Sequence, residues 1–369
     1  MPPKSKSKDK KEKEGMTKTN RRKPQKSNNV TSEGQTPGDL IETLKNSKNK
    51  PVMYEHLKAQ AAHQADGFLK NLELNRLPVP INERRRVKID KDEEFYPGQY
   101  CKMENSEYTL LQAPSKASLK LIWKLITQDQ TKIIVCLCHD EQISATEDSK
   151  CFPWFPTEVN QSLEVEQKKG KYTIVCKAKE GLSMGAVKYD LELSDSETVQ
   201  ETNTDDPNGP GPKTLVMTLY HMNAWSGTRP ESGNPLELAQ NVALFLKEIN
   251  KAETNVLRKS MENFVPPVII QSFDAIGRSA IAWVVLMLLK DVEKRECFDV
   301  PDLIKKLMKL RPGAISSYYH YVFTMAVALH IGKEMKWCEP DCEKALADLT
   351  AKFPERKLNE VGNLIIDTK

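Results

Sequence analysis

Between Ser272 and Ser279 the chain reads Ser-Phe-Asp-Ala-Ile-Gly-Arg-Ser, a turn-forming run between the apolar Val268-Ile269-Ile270 and the apolar segment Ala280 to Leu289. Val268, Ile269 and Ile270 are β-branched and suit a strand buried on both faces, whereas the Ala, Leu and Met residues after Ser279 favour helix. A strand that turns sharply into a helix directs successive backbone N–H groups and a helix N-terminus at one point, which makes an anion site before side chains are considered. Arg278 adds a planar fork of donors suited to a phosphoryl group. Ser272 supplies a hydroxyl at the head of the turn, but a serine oxygen needs a neighbouring base to attack, and Gln271 cannot be one. The nucleotide-binding pattern Gly-x4-Gly-Lys-Ser/Thr fails at Ser272 and Arg278.

The elements around this turn follow from periodicity and punctuation. Apolar residues recurring at three and four positions from Leu57 to Leu72 predict an amphipathic helix that opens the domain. Gln99 to Gln112 predicts a strand and turn, Ser118 to Thr127 a helix carrying Trp123, and Lys132 to Cys138 a buried strand. Period two puts Cys136 and Cys138 on one face of that strand. Leu163 to Lys177 and Met184 to Leu193 suit two antiparallel strands joined through Gly181. Thr198 to Lys213, acidic and rich in Pro and Gly, predicts an exposed loop. A strand at Thr214 to Met222 leads into Asn223-Ala224-Trp225-Ser226-Gly227, and helices are expected at Pro235 to Ile249, Val300 to Leu310 and Tyr321 to Leu329, with a short one from Asp341.

On these residues the chain resembles the protein tyrosine phosphatases. PVIIQSFDAIGRSA is similar to the family's signature loop, Val-His-Cys-(x)5-Arg-Ser/Thr between a central strand and a helix. Aligned on Gly277, Arg278 and Ser279, the nucleophilic cysteine falls on Ser272 and the histidine before it on Gln271. The resemblance implies that Ser272, Gly277, Arg278 and Ser279 would form the phosphate cradle, without the thiol whose depressed pKa drives the family's chemistry. Trp225-Ser226-Gly227 resembles the mobile Trp-Pro-Asp loop, so the general acid, which typically contributes about 10² to 10⁴ in rate, would be Gly227. Asn75-Arg76-Leu77 resembles the phosphotyrosine-recognition loop, with Leu77 where the family has the stacking tyrosine. One of Arg84, Arg85 and Arg86 would fasten that loop to the sheet, or else the three form a solvated face. Lys150-Cys151-x-x-Trp154-x-Pro156 resembles a box of the family in which Trp154 and Phe155 would be the aromatic pair, with packing as the expected role, and Arg311-Pro312-Gly313-Ala314-Ile315 resembles the family's Arg-Pro-Gly-Met-Val box. After the second box the family places two glutamines that orient water; this chain has Ser316 and His320. His320 is expected to be a packed, hydrogen-bonded residue, and it is also the histidine that a serine mechanism at Ser272 would have to recruit.

The expected fold is therefore α/β, a protein-tyrosine-phosphatase-like, highly twisted mixed β-sheet flanked by helices, over residues 37–335. Residues 1–36 are expected to be a disordered basic tail and residues 336–369 a short helix and tail. The expected role is that of a pseudophosphatase, a protein-interaction or scaffolding module in phosphotyrosine signalling; the alternative is a phosphotyrosine reader that shields phosphorylated partners through Arg278. Asp274 bears on that choice. It replaces a small residue of the cradle, and a carboxylate about 6 Å from a dianion repels it by roughly 5 kcal/mol at most at an effective dielectric near 20. Phe273 and Ala275 are expected to crowd the cradle, and Arg278 to pair with Asp274.

Composition sets the remaining limits. The chain has 369 residues, 39% hydrophobic and 29% charged, enough for one large domain with tails. Of the net charge of +4, residues 1–30 carry +8 from eleven Lys or Arg against three acids, and the rest of the chain is at −4. The tail lacks aromatic residues to stack bases, so no specific nucleic-acid partner is expected, and contact with acidic surfaces is. The Ala280 to Leu289 run is too short for the roughly 20 residues a bilayer needs, and the N-terminus lacks the apolar region of a secretory signal. The expected location is cytoplasmic, with Arg21-Arg22-Lys23 as a nuclear alternative. The eight cysteines show no metal spacing and are expected to be reduced structural thiols, and neither metal nor cofactor is expected.

Overall fold

The computed structural model describes residues 71, 74, 82–89, 94–103, 106–147, 149–168, 170–196, 214–225, 235–259, 265–294, 299–315, 317–336, 346, 348–349, 357–358 and 364–365. All of these fall in one compact unit, Gly34–Lys369; no residue of the other unit, Met1–Glu33, is described. The helix expected between Leu57 and Leu72, the basic tail and the acidic loop at Thr198 to Lys213 thus lie outside the described residues.

The strands are β1 (Gly98–Met103), β2 (Ser106–Gln112), β3 (Ile133–Cys136), β4 (Ser162–Glu166), β5 (Lys171–Leu182), β6 (Ala186–Asp195), β7 (Thr214–His221) and β8 (Val268–Ser272). They form one sheet in the order β1-β2-β8-β3-β7-β6-β5-β4. Its centre is parallel, with β8 between β2 and β3 and β3 against β7, and its wings are antiparallel. Every residue of β8 is buried, as a central parallel strand covered on both faces requires. Alternation then divides its side chains: Val268 and Ile270 enter one apolar core, Ile269 the other.

Among the described residues five helices cover the sheet: α1 (Leu119–Gln128), α2 (Pro235–Lys259), α3 (Arg278–Lys294), α4 (Val300–Leu310) and α5 (Tyr318–Glu334). The core on one face is built from α2 to α5, and that on the other from α1 and the antiparallel wing. Buried residues from Arg278 to Leu289 surround α3 on all sides, which explains the absence of polar periodicity in its sequence. Residues 357–358 and 364–365 pair as two short antiparallel strands in the segment read as tail. Among the described residues no helix is long and apolar enough to cross a membrane.

Several elements differ from their expected bounds. The Gln99 to Gln112 segment is a hairpin of two strands, and Leu163 to Lys177 also folds back on itself, at Gly170, where Gln167 donates to the Gly170 carbonyl at 3.1 Å. Gly181 lies within β5. The turn comes four residues later, at Gly185, whose φ of +69° suits a glycine. Helix α2 runs ten residues past Ile249, because Glu253 on its inner face is buried by Lys290 and Tyr108 rather than by apolar neighbours, a partnership invisible to hydrophobic periodicity.

Candidate functional site

The cradle is the turn between the end of β8 at Ser272 and the start of α3 at Arg278. Ala275 and Gly277 both have φ of +57°, which costs an alanine on the order of 1 kcal/mol and a glycine almost nothing. Gly277 is required twice over, since a Cβ there would run into the His320 ring. Its N–H donates to the Ala314 carbonyl at 2.8 Å. From behind, Arg311 holds the strained alanine in place: its Nε donates to the Ala275 carbonyl at 2.7 Å and its Nη1 to Gln99 Oε1 at 3.4 Å. Arg311 is fully buried, and Gln99 in turn donates to the Leu310 carbonyl. The Arg-Pro-Gly box thus packs against the cradle.

Ser272 is fully buried, and its Oγ donates to Ser279 Oγ at 3.2 Å. Gln271 points to the opposite face of β8, where its Nε2 donates to Cys138 Sγ at 3.1 Å and its Oε1 finds no partner among the described residues. Cys136 and Cys138 share that face, as period two predicts. Alternation places the Cys138 thiol on the face of β8 opposite Ser272, where burial would raise its pKa but hydrogen bonds with Cys136 and Cys151 and the charge of Arg278 pull it well below the ordinary thiol value. None of Cys101, Cys136, Cys138, Cys151 and Cys176 is in a disulfide.

Arg278 does not pair directly with Asp274. Its Nη1 donates to the Trp225 carbonyl at 2.8 Å and its Nη2 to Gln142 Oε1 at 2.7 Å. The guanidinium thereby joins the cradle to two other loops and leaves Nε with no acceptor among the described residues. Asp274 turns inward on its own loop, where Oδ1 accepts the Ile276 N–H at 3.1 Å. Burial raises its pKa, while the Ile276 N–H and the charge of Arg278 pull it back down. Nor does Phe273 crowd the cradle: it packs against the α1-side core.

His320 lies on the first turn of α5, which Ser317 caps by accepting the His320 N–H. Burial, and then the charge of Arg278, push its imidazole down to about 4, so it is neutral at pH 7. Its place is against Gly277, as a packing residue. Trp225 is buried, with its ring 5.6 Å from that of Phe323, which stacks on Tyr319 at 5.8 Å. Asn223 donates to Asp140 and Ala224 to the Gly185 carbonyl, so the base of this loop is held at several points. Asn75, Arg76, Leu77, Ser226, Gly227 and Ser316 lie outside the described residues.

The three arginines before Val87 divide between the two readings. Arg84 and Arg85 are exposed on a short 3₁₀ turn. Arg86 bridges to Gln99 at the edge of β1, donates to the Val87 carbonyl and lies 5.5 Å over the Phe95 ring. Trp154 of the aromatic box accepts the Trp123 indole N–H on its carbonyl at 3.0 Å and packs on Trp123 and Phe155. Gln142 is a site residue that sequence reasoning missed. It closes the 3₁₀ turn Asp140–Gln142, accepts the His139 N–H and reaches Arg278, 136 residues away. A polar run such as Asp140-Glu141-Gln142 carries no sign of so distant a partner.

A sheet with a parallel centre and antiparallel wings, whose middle strand runs through a Gly-Arg-Ser turn into a buried helix, defines the α/β class of this domain. The protein-tyrosine phosphatase family profile matches residues 71–330, and the chain belongs to that family. It is similar to mouse tyrosine-protein phosphatase non-receptor type 20, 19% identical over 303 residues that cover 79% of this chain. The match spans 63% of that relative's length.

Proposed function

We propose that this protein is a pseudophosphatase: a family member that does not turn over phosphotyrosine and works as an interaction or scaffolding module for protein partners in phosphotyrosine signalling. The observation that carries this reading is the state of Ser272. Its hydroxyl, aligned by sequence with the family's thiol, is shut off from solvent and directs its proton to Ser279 rather than to a base. Activation of serine needs a base within hydrogen-bond reach, and Gln271 faces away. His320 is neutral but packed on Gly277. The assignment of the general-acid position to Gly227 adds to the same reading from sequence.

The test is turnover of an aryl phosphate by the purified chain. No phosphate release above that of a Ser272→Ala control is expected, and release that Ser272→Ala abolishes would sink the reading. Pull-down under phosphatase inhibition, with and without residues 1–36, then asks which partners the domain retains. Binding of a phosphotyrosine peptide that Arg278→Ala removes would favour the reader instead.

A further inference from the structure

Most donors of the cradle are engaged within the protein, the Gly277 N–H on the Ala314 carbonyl among them. Arg278 is 5% exposed and commits Nη1 and Nη2 to Trp225 and Gln142, while its Nε–H has no acceptor among the described residues. Phe273, expected to crowd the turn, packs away into the α1-side core. Ala275 is tolerated in its left-handed conformation because Arg311 grips its carbonyl. What remains in the cradle is Asp274, whose carboxylate takes the Ile276 N–H. This amide belongs to the set that converges on the strand-to-helix turn, where an anion gains most from backbone dipoles.

We propose that Asp274 is a resident anion: its carboxylate takes the Ile276 N–H in place of an oxyanion ligand and thereby excludes phosphate from the turn. The inference rests on the non-catalytic reading above and specifies how that site is closed. A second negative group entering beside a carboxylate already bonded to the loop's amides must both displace it and bear its repulsion. A neutral side chain at 274 removes the repulsion, and a short one also frees the Ile276 N–H.

The test uses the full chain with inorganic phosphate and a phosphotyrosine peptide as probes, read by calorimetric titration and by the ligand-induced shift in melting temperature. Asp274→Ala is expected to bind phosphate at least tenfold more tightly than the natural chain, Asp274→Asn to gain less because its amide oxygen still takes the Ile276 N–H, and Asp274→Ala with Arg278→Ala to lose the gain. Should Asp274→Ala melt early, the near-isosteric Asp274→Asn carries the comparison. Equal phosphate binding by the natural chain and both variants, or no gain in variants that melt cooperatively, would overturn the proposal. Aryl phosphate turnover by the natural chain would instead refute the non-catalytic reading and leave the role of Asp274 to be judged by binding alone.

Discussion

Two buried arginines flank the same turn. Arg311 stands behind the cradle, fully enclosed, and bonds to backbone and to Gln99. Arg278 stands at its front and bonds to the Trp225 carbonyl and Gln142. Behind the turn, the parts that determine shape are in place: the Arg311 brace, the Ala314 carbonyl on Gly277, and the Trp123, Trp154 and Phe155 packing. In front of it, Ser272 bonds to Ser279 and Asp274 to its own loop. Shape and chemistry are therefore separable here, because packing and backbone bonding hold the turn without help from the reacting groups.

That contrast predicts large stability effects behind the cradle and small ones in front. Trp154→Ala should cost about 4 kcal/mol, since it empties a fully buried aromatic site, and urea unfolding would measure it. Arg311→Met should cost roughly 3 kcal/mol, because the Ala275 carbonyl loses its charged donor inside the core. A loss below about 1 kcal/mol in either variant would break the distinction between frame and front.

His320 gives an intermediate effect with a definite sign. Its imidazole has an unfolded pKa near 6.5 and a folded one of about 4, so the unfolded chain takes up a proton that the folded chain refuses. Stability is present in full above the unfolded value and falls as pH drops through this window, by about 2 kcal/mol between pH 7 and pH 5. The loss should disappear in His320→Gln, as seen by denaturant titration at both pH values, and an unchanged pH slope would show that His320 does not carry it. The smallest effect belongs to Ser272→Ala. It removes one hydroxyl pair and should change stability by about 1 kcal/mol or less, with no change in phosphate release. A fall in turnover in that variant would give the front of the cradle a chemistry that its geometry does not support.

The strand-turn-helix at Val268 to Lys294 was legible because its signals are local: β-branched residues, then Gly277, then a run of apolar helix formers. So was the paired orientation of Cys136 and Cys138, which depends only on alternation. The hairpin at Gly170 and the far end of α2 were less legible. The first hides within one alternating run, and the second depends on Glu253, a carboxylate that counts as solvent-facing until Lys290 and Tyr108 are placed beside it.

The partners of Arg278 mark the same boundary within the site. Asp274, four residues away, was the natural candidate by proximity along the chain, yet the guanidinium bonds to Gln142 and Trp225, 136 and 53 residues distant. What the residues alone determined was the kind of turn, its donors and the serine at its head, since all three follow from neighbours in sequence. Which groups those donors face was decided by the sheet order that brings β3, β7 and β8 side by side, because contacts between loops at the ends of adjacent strands have no periodicity by which to be read in advance.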